Sequence, residues 1–303
     1  MQISKYQALG NDYLVTEPGD RGLVPAPSEI RLVCDRHYGL GSDGLLVGPY
    51  EAETADFGLR LFNPDGGEFE KSGNGLRIFA RYLWDRRLVG EESFTILTPG
   101  GIVTARVCQE GRRATVEMGR VGFDSREIPV EGPAREVVGE SMNVAGRTLS
   151  YSALTIGNPH CVVMGQEVSP RTARQLGPLL ERDPRFPNRT NVQFMRVLDR
   201  ATIQIEIWER GVGYTLASGS SSCAAAAVAH KLELCDAQVA VRMPGGIIDI
   251  TIGPEWAISM SGAVTRVFEG RLCEEAFSAQ TEISEAPEMS GAVLKYRGRG
   301  TGV

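Results

Sequence analysis

The chain has 303 residues, 42% of them apolar, and a formal net charge of -6, enough for two medium hydrophobic cores. That acidic balance, without clustered Lys and Arg, excludes a nucleic-acid surface, and no stretch approaches the roughly 20 apolar residues that a membrane helix requires. Met1 to Lys5 leads directly into a folded-looking segment, so a cytoplasmic protein with a small-molecule partner, no nucleic acid and no membrane is expected.

Gly10-Asn11 reads as a turn, Arg31 to His37 as a helix and Leu45 to Val47 as a short strand. Gly39 to Gly44 fits G-x-G-x-x-G, but a helix precedes it and a strand follows. The strand-then-helix context of a dinucleotide site is absent, so this segment is not read as a cofactor site. Leu59 to Phe62 alternates as a half-buried strand ending at Asn63. Ser72-Gly73-Asn74-Gly75 opens a helix running to Leu83, and Phe94 to Leu97 and Ala114 to Met118 are strand-like. In Gly157-Asn158-Pro159-His160 the histidine is either aimed into a cleft or a plain turn residue. Asn191, after a Pro- and Arg-rich loop, is ambiguous. Ile203 to Trp208 reads as a strand ending in Glu209-Arg210, either a surface pair or a contact for a zwitterion. Ser218-Gly219-Ser220-Ser221 opens a small-residue helix, Cys223 to Ala229, and Val239 to Arg242 is a further strand. The six cysteines form no CxxC pair, so no metal site and no disulfide framework is suggested. From Phe277 the chain turns polar.

An internal repeat organises these elements. Ser72 and Ser218 lie 146 positions apart, and the same offset carries Leu59–Phe62 onto Ile205–Trp208, Asn63 onto Glu209 and Gly67 onto Gly213. One residue out of step, Gly10-Asn11 falls on Gly157-Asn158. Ordered matches at nearly one spacing point to a duplicated domain. The class is α/β or α+β, dominated by strands, with one central helix per half.

A Gly-rich loop entering a helix exposes unpaired N–H groups and the positive end of the dipole, a site for a carboxylate. Two such starts related by pseudo-symmetry can grip one carboxylate, with Ser72 and Ser218 flanking the adjacent carbon. One group would take a proton and the other give one, inverting the carbon. The alternative is that both serines are only helix N-caps.

Several segments resemble the diaminopimelate epimerase family: Lys5 to Asp12 (KYQALGND), Cys34 to Gly44 (CDRHYGLGSDG), Asn63 to Arg77 (NPDGGEFEKSGNGLR), Gly157 to His160 (GNPH), Arg189 to Val192 (RTNV) and Glu209 to Ala225 (ERGVGYTLASGSSSCAA). The resemblance spans about residues 1–272. It implies an α+β fold of two pseudo-symmetric β-rich domains, each wrapped around a central helix, with the site in the interdomain cleft. The domains would be 1–118 plus about 264–276, and 119–263, followed by a polar tail, 277–303. It further implies pyridoxal-independent epimerisation of an amino acid, LL- to meso-diaminopimelate, by a thiolate base and a thiol acid, with no cofactor and no metal, in a homodimer. Ser72 and Ser218 occupy the two cysteine places. His160 and Glu209 match supporting acid and base residues. Asn11, Asn63, Asn158, Asn191 and Arg210 match groups that hold the substrate, and Gly73-Asn74 with Gly219-Ser220 match the carboxylate cradle.

The serines depart from that pattern. A free thiol has a pKa near about 8.5 and falls at a helix start, whereas a hydroxyl stays almost wholly protonated. Two-base epimerisation is therefore expected to be impaired or altered. Tyr214, Ser221 and Gly44 also depart from the family, suggesting change on the substrate side, and the drift at Tyr214 and Ser221 favours a natural relative over deliberate replacement. The alternatives are a catalytically silent amino-acid binder and a hydroxyproline-type dehydratase. A Ser218-His160 hydrolase is weaker, because no G-x-S-x-G elbow surrounds Ser218.

Overall fold

The computed structural model describes residues 1–19 and 24–277; the polar tail beyond Phe277 lies outside the described residues. The first half runs β1 (Gln2–Ala8), β2 (Asn11–Thr16), α1 (Pro27–Cys34), β3 (Leu45–Tyr50), β4 (Phe57–Phe62), β5 (Glu68–Phe69), α2 (Gly73–Asp85), β6 (Phe94–Thr98), β7 (Gly101–Cys108) and β8 (Arg113–Arg120). After β9 (Glu140–Val144) the second half repeats this order as β10 (Arg147–Thr155), β11 (Pro159–Met164), α3 (Pro170–Glu181), β12 (Asn191–Asp199), β13 (Thr202–Glu209), β14 (Gly213–Thr215), α4 (Gly219–Lys231), β15 (Gln238–Met243), β16 (Gly246–Ile252) and β17 (Ala257–Ala263). A last strand, β18 (Thr265–Arg271), follows.

The halves match in pairing as well as in order. In the first, β2 runs parallel to β3 and β4 parallel to β6; in the second, β11 runs parallel to β12 and β13 parallel to β15. Both Gly-Asn turns carry the glycine at positive φ, +88° at Gly10 and +89° at Gly157, which a side chain would strain. The halves join where β8 pairs antiparallel with β17, from Arg113 opposite Ala263 to Arg120 opposite Ala257. β18 returns to pair antiparallel with β1.

Each central helix is enclosed by its own strands: α2 packs on β1, β2, β3, β7 and β8, and α4 on β10, β11, β12, β13, β15, β16 and β17. The composition of α4 explains how it fits. From Ser221 to Ala229 every residue is small or β-branched and every one is buried. A helix apolar on all sides has no solvent face to keep and sits in the middle of a core. α2 likewise buries Asn74 through Ala80 on successive turns.

One boundary differs from the sequence expectation. The helix read as Arg31 to His37 begins at Pro27 and stops at Cys34. Pro27 takes the first helical position, where its missing N–H costs nothing. Beyond Cys34, the Asp35 carboxylate accepts the N–H groups of His37 and Tyr38, both at 2.7 Å, offering the backbone a turn in place of another helical turn.

Candidate active site at two facing helix starts

Ser72 and Ser218 are the N-caps of α2 and α4, both with extended backbone. The Ser72 hydroxyl oxygen accepts the Gly75 N–H at 3.0 Å, and that of Ser218 accepts the Ser221 N–H at 3.4 Å. Each cap therefore satisfies one orphan donor of its helix. Ahead of it, the amides of Gly73 and Asn74, and of Gly219 and Ser220, find no protein acceptor among the described residues.

The two starts touch. A Cβ placed on Gly219 would lie 3.7 Å from the Gly73 Cα, and a Cβ on Gly73 would fall 2.0 Å from the Met260 Cε. Met260, fully buried on β17, forms the floor beneath both glycines. Only glycine lets the backbones approach this closely over that floor. The result is two helix N-termini, four amides without a protein acceptor among the described residues and two hydroxyl caps converging at the seam between the halves, an arrangement with the chemistry to hold an anion.

The hydroxyls have different neighbours. Glu209, at the end of β13, is the neighbour of the Ser218 hydroxyl; burial raises the Glu209 pKa, and its interaction with Ser218 partly offsets that rise. The Ser72 oxygen accepts a second hydrogen bond, from the Tyr13 hydroxyl at 3.4 Å. Tyr13 is buried, and burial pushes its phenol up to about 12, with a lowering contribution from Ser72.

His160 bonds to neither serine. It is fully buried, with Nε2 at 3.0 Å from the Asn158 Oδ1 and Nδ1 at 3.0 Å from the Gln193 Nε2. The Gln193 amide supplies a donor, so Nδ1 accepts and Nε2–H donates to Asn158. Both ring nitrogens are thus satisfied in the neutral form, and burial holds the imidazole down to about 3. Its effect on the site passes through Asn158 and through Gln193, which also donates to the buried Ser221 hydroxyl at 2.9 Å.

On the other side, Asn11 accepts from the Asn74 side chain at 3.0 Å and donates to Asp43 at 2.7 Å. Arg77, fully buried one turn into α2, grips the Asn74 Oδ1. Burial lowers the Arg77 pKa to about 10. Asn191 accepts the Arg210 N–H at 3.0 Å and donates to the Pro159 carbonyl, tying β12, the β13 end and the GNPH turn together. The Arg210 guanidinium reaches the Asn188 carbonyl at 3.0 Å. Asn63 is exposed at the end of β4, the place that Glu209 fills in the other half.

Of the departures, Tyr214 lies away from these caps, whereas the Ser221 N–H is the donor that the Ser218 hydroxyl accepts. The Tyr214 hydroxyl donates to Glu206 at 2.7 Å, and its ring lies 4.1 Å beneath the Arg174 guanidinium of α3. It packs the α3 side of the sheet, so the expectation that it alters the substrate side is corrected. Ser221 is enclosed against Gln193. A surface cavity of about 510 Å³ lies elsewhere, between the start of β1, Glu17 and Arg86.

The family model for diaminopimelate epimerase matches residues 3–123 and 152–267. The chain belongs to the diaminopimelate epimerase family. It is 55% identical over 284 residues to "Diaminopimelate epimerase 2" of Nostoc sp., covering 94% of this chain and 100% of that one. It is 39% identical to the diaminopimelate epimerase of Desulforudis audaxviator, over 89% of this chain and 99% of that one. Solved structures share the fold at low identity. A probable proline racemase from Agrobacterium radiobacter superimposes with a TM-score of 0.66 at 14% identity, covering 91% and 94% of the two chains. A hydroxyproline epimerase from Agrobacterium vitis does so with 0.63 at 15% identity, covering 89% and 91%. The fold class read from the sequence, two pseudo-symmetric β-rich halves each around a helix, is therefore correct for this diaminopimelate epimerase-family chain.

Proposed function

We propose that this family member inverts the α-carbon of a diaminopimelate-type amino acid, LL to meso, without a cofactor, using hydroxyl caps in place of thiols. The observation that carries this reading is the contact of two helix starts bearing four amides without a protein acceptor among the described residues, each start flanked by a serine. The substrate α-carboxylate fits between Gly73-Asn74 and Gly219-Ser220, and the amides stabilise the negative charge that develops on it when the Cα–H bond breaks. Ser218, backed by the Glu209 carboxylate, takes the proton; Ser72 returns one to the opposite face. Asn11, Asn63, Asn158, Asn191 and Arg210 hold the rest of the molecule, and His160 keeps Asn158 in place.

A silent amino-acid binder is the second reading, supported by the engagement of both hydroxyls as N-caps. Deuterium exchange at the α-carbon of LL-diaminopimelate in heavy water separates the two. Slow exchange by the natural chain and faster exchange by Ser72→Cys/Ser218→Cys supports the enzyme; exchange by the cysteine variant alone makes the natural chain a binder. No exchange by either removes the substrate assignment.

We further propose a cytoplasmic homodimer. No described helix is long and apolar enough to cross a membrane. Among the described residues β18 pairs with β1 alone, and on it Val267 is 56% and Phe268 44% exposed. An open apolar strand edge suits a second copy of the chain.

A further inference from the structure

We propose that Tyr13 is a positioning residue that supplies the returning proton through Ser72, so that inversion in this chain uses a Glu209–Ser218 pair on one face and a Tyr13–Ser72 pair on the other. The proposal rests on the reading of the site as an epimerase.

The internal symmetry isolates Tyr13. The offset that places Gly10-Asn11 on Gly157-Asn158 places Tyr13 on His160, and it places Gly44 on Asn191. Strand register gives the same correspondence: Leu14 lies beside Leu45 as Cys161 lies beside Val192. In the second half the aromatic residue is locked by two amide side chains away from its serine. In the first half it turns to its serine instead, 3.4 Å from the oxygen. Gly44 permits this, since a Cβ there would sit 2.7 Å from the Tyr13 Cε1 and 2.6 Å from the Phe62 carbonyl oxygen. A side chain at Gly44 and a tyrosine at 13 in this pose exclude one another.

The charges on the two faces differ in a useful way. A serine alone is a poor acid and a poor base near neutrality, so each needs a titrating group behind it. Glu209 is a carboxylate and accepts; Tyr13 is a neutral phenol and donates. With the α-carboxylate in the cradle, the Cα–H bond facing Ser218 breaks, its proton passes to the Ser218 oxygen as the Ser218 proton moves to Glu209, and the electron pair moves onto the carboxylate. On the other face the Ser72 O–H bond breaks, a new Cα–H bond forms, and the Tyr13 proton restores the Ser72 hydroxyl. The phenolate and the protonated Glu209 then reset through water.

This division makes exchange and inversion separable. A hydrogen facing Ser218 exchanges with solvent through Glu209 alone, whereas inversion requires Tyr13. The experiment follows LL- and meso-diaminopimelate in heavy water, measuring α-deuteration by NMR and inversion by chiral chromatography, for the natural chain, Tyr13→Phe, Ser72→Cys/Tyr13→Phe and Ser72→Cys/Ser218→Cys. Tyr13→Phe is expected to lose inversion by about a hundredfold while keeping exchange with retained configuration in the isomer presenting its hydrogen to Ser218. Ser72→Cys is expected to restore inversion to Tyr13→Phe, since a thiol carries its own proton. Inversion unchanged in Tyr13→Phe overturns the proposal. Equal loss of exchange and inversion, or no rescue by the thiol, reduces Tyr13 to packing and also overturns it. Absence of inversion in the natural chain, with exchange or inversion present in the cysteine pair, overturns it while leaving the substrate reading intact. Silence of both the natural chain and the cysteine pair removes the substrate reading and the proposal with it.

Discussion

His160 sits between two amide side chains with no water-exposed surface, and protonation would set a second N–H against the Gln193 amide donor. Its pKa is about 3 in the folded chain and about 6.5 in an unfolded one. Between those values the unfolded state binds more protons, so stability is lost as pH falls. The slope from this residue is at most about 1.4 kcal/mol per pH unit. Urea unfolding between pH 7 and 5 is expected to show falling stability, and His160→Gln to flatten the slope; an unchanged slope contradicts the assignment. Glu206 and Glu209, raised by burial, act in the opposite sense as pH falls through their range. Removing the cap hydroxyl in Ser72→Ala is expected to cost about 1 kcal/mol in the same assay. Ser72, Ser218 and Glu209 stand out in the sequence through the repeat, and His160 through the Gly-Asn-Pro-His turn. Tyr13 does not, although extending the Gly-Asn match by two residues sets it on His160. Gln193 was equally hidden, because it contacts His160 only across the parallel pairing of β11 with β12.

Helices α2 and α4 meet end to end through glycines, so their separation is set by the smallest possible side chain. Gly219→Ala would place a methyl 2.7 Å from the Met260 Sδ, and Met260 is fully enclosed. The expected cost is about 1–3 kcal/mol from overpacking, with weaker binding of the amino-acid carboxylate as the cradle widens. Denaturant unfolding and calorimetric titration with diaminopimelate read the two effects; a variant as stable and as tight as the natural chain contradicts the contact. Both helices were legible from Ser-Gly caps, followed by a helical run in α2 and by a run of small residues in α4. The end of α1 was not, because Asp35 competes for the backbone locally. Tyr214 was misread at this scale: its substitution is absorbed by Glu206 and Arg174 on the far side of β13.

For the whole molecule, duplication explains why nearly one sequence offset relates element order, parallel pairings and the two helix starts that meet at the seam. What it leaves out is the asymmetric closure, β18 onto β1, which joins the two ends of the described fold, from Gln2 opposite Arg271 to Gln7 opposite Thr265, and has no local signal. That strand is also the expected dimer edge. Sedimentation should give a dimer for the natural chain and a monomer for Val267→Glu/Phe268→Glu; a natural monomer contradicts the assignment. The central claim is that one α-carbon is held between Ser72 and Ser218. A crystal structure with LL-diaminopimelate tests it most directly. The predicted result is a carboxylate on the amides of Gly73, Asn74, Gly219 and Ser220, with the two serine oxygens on opposite faces of the α-carbon. A ligand bound elsewhere, or with both serines on one face, would contradict it.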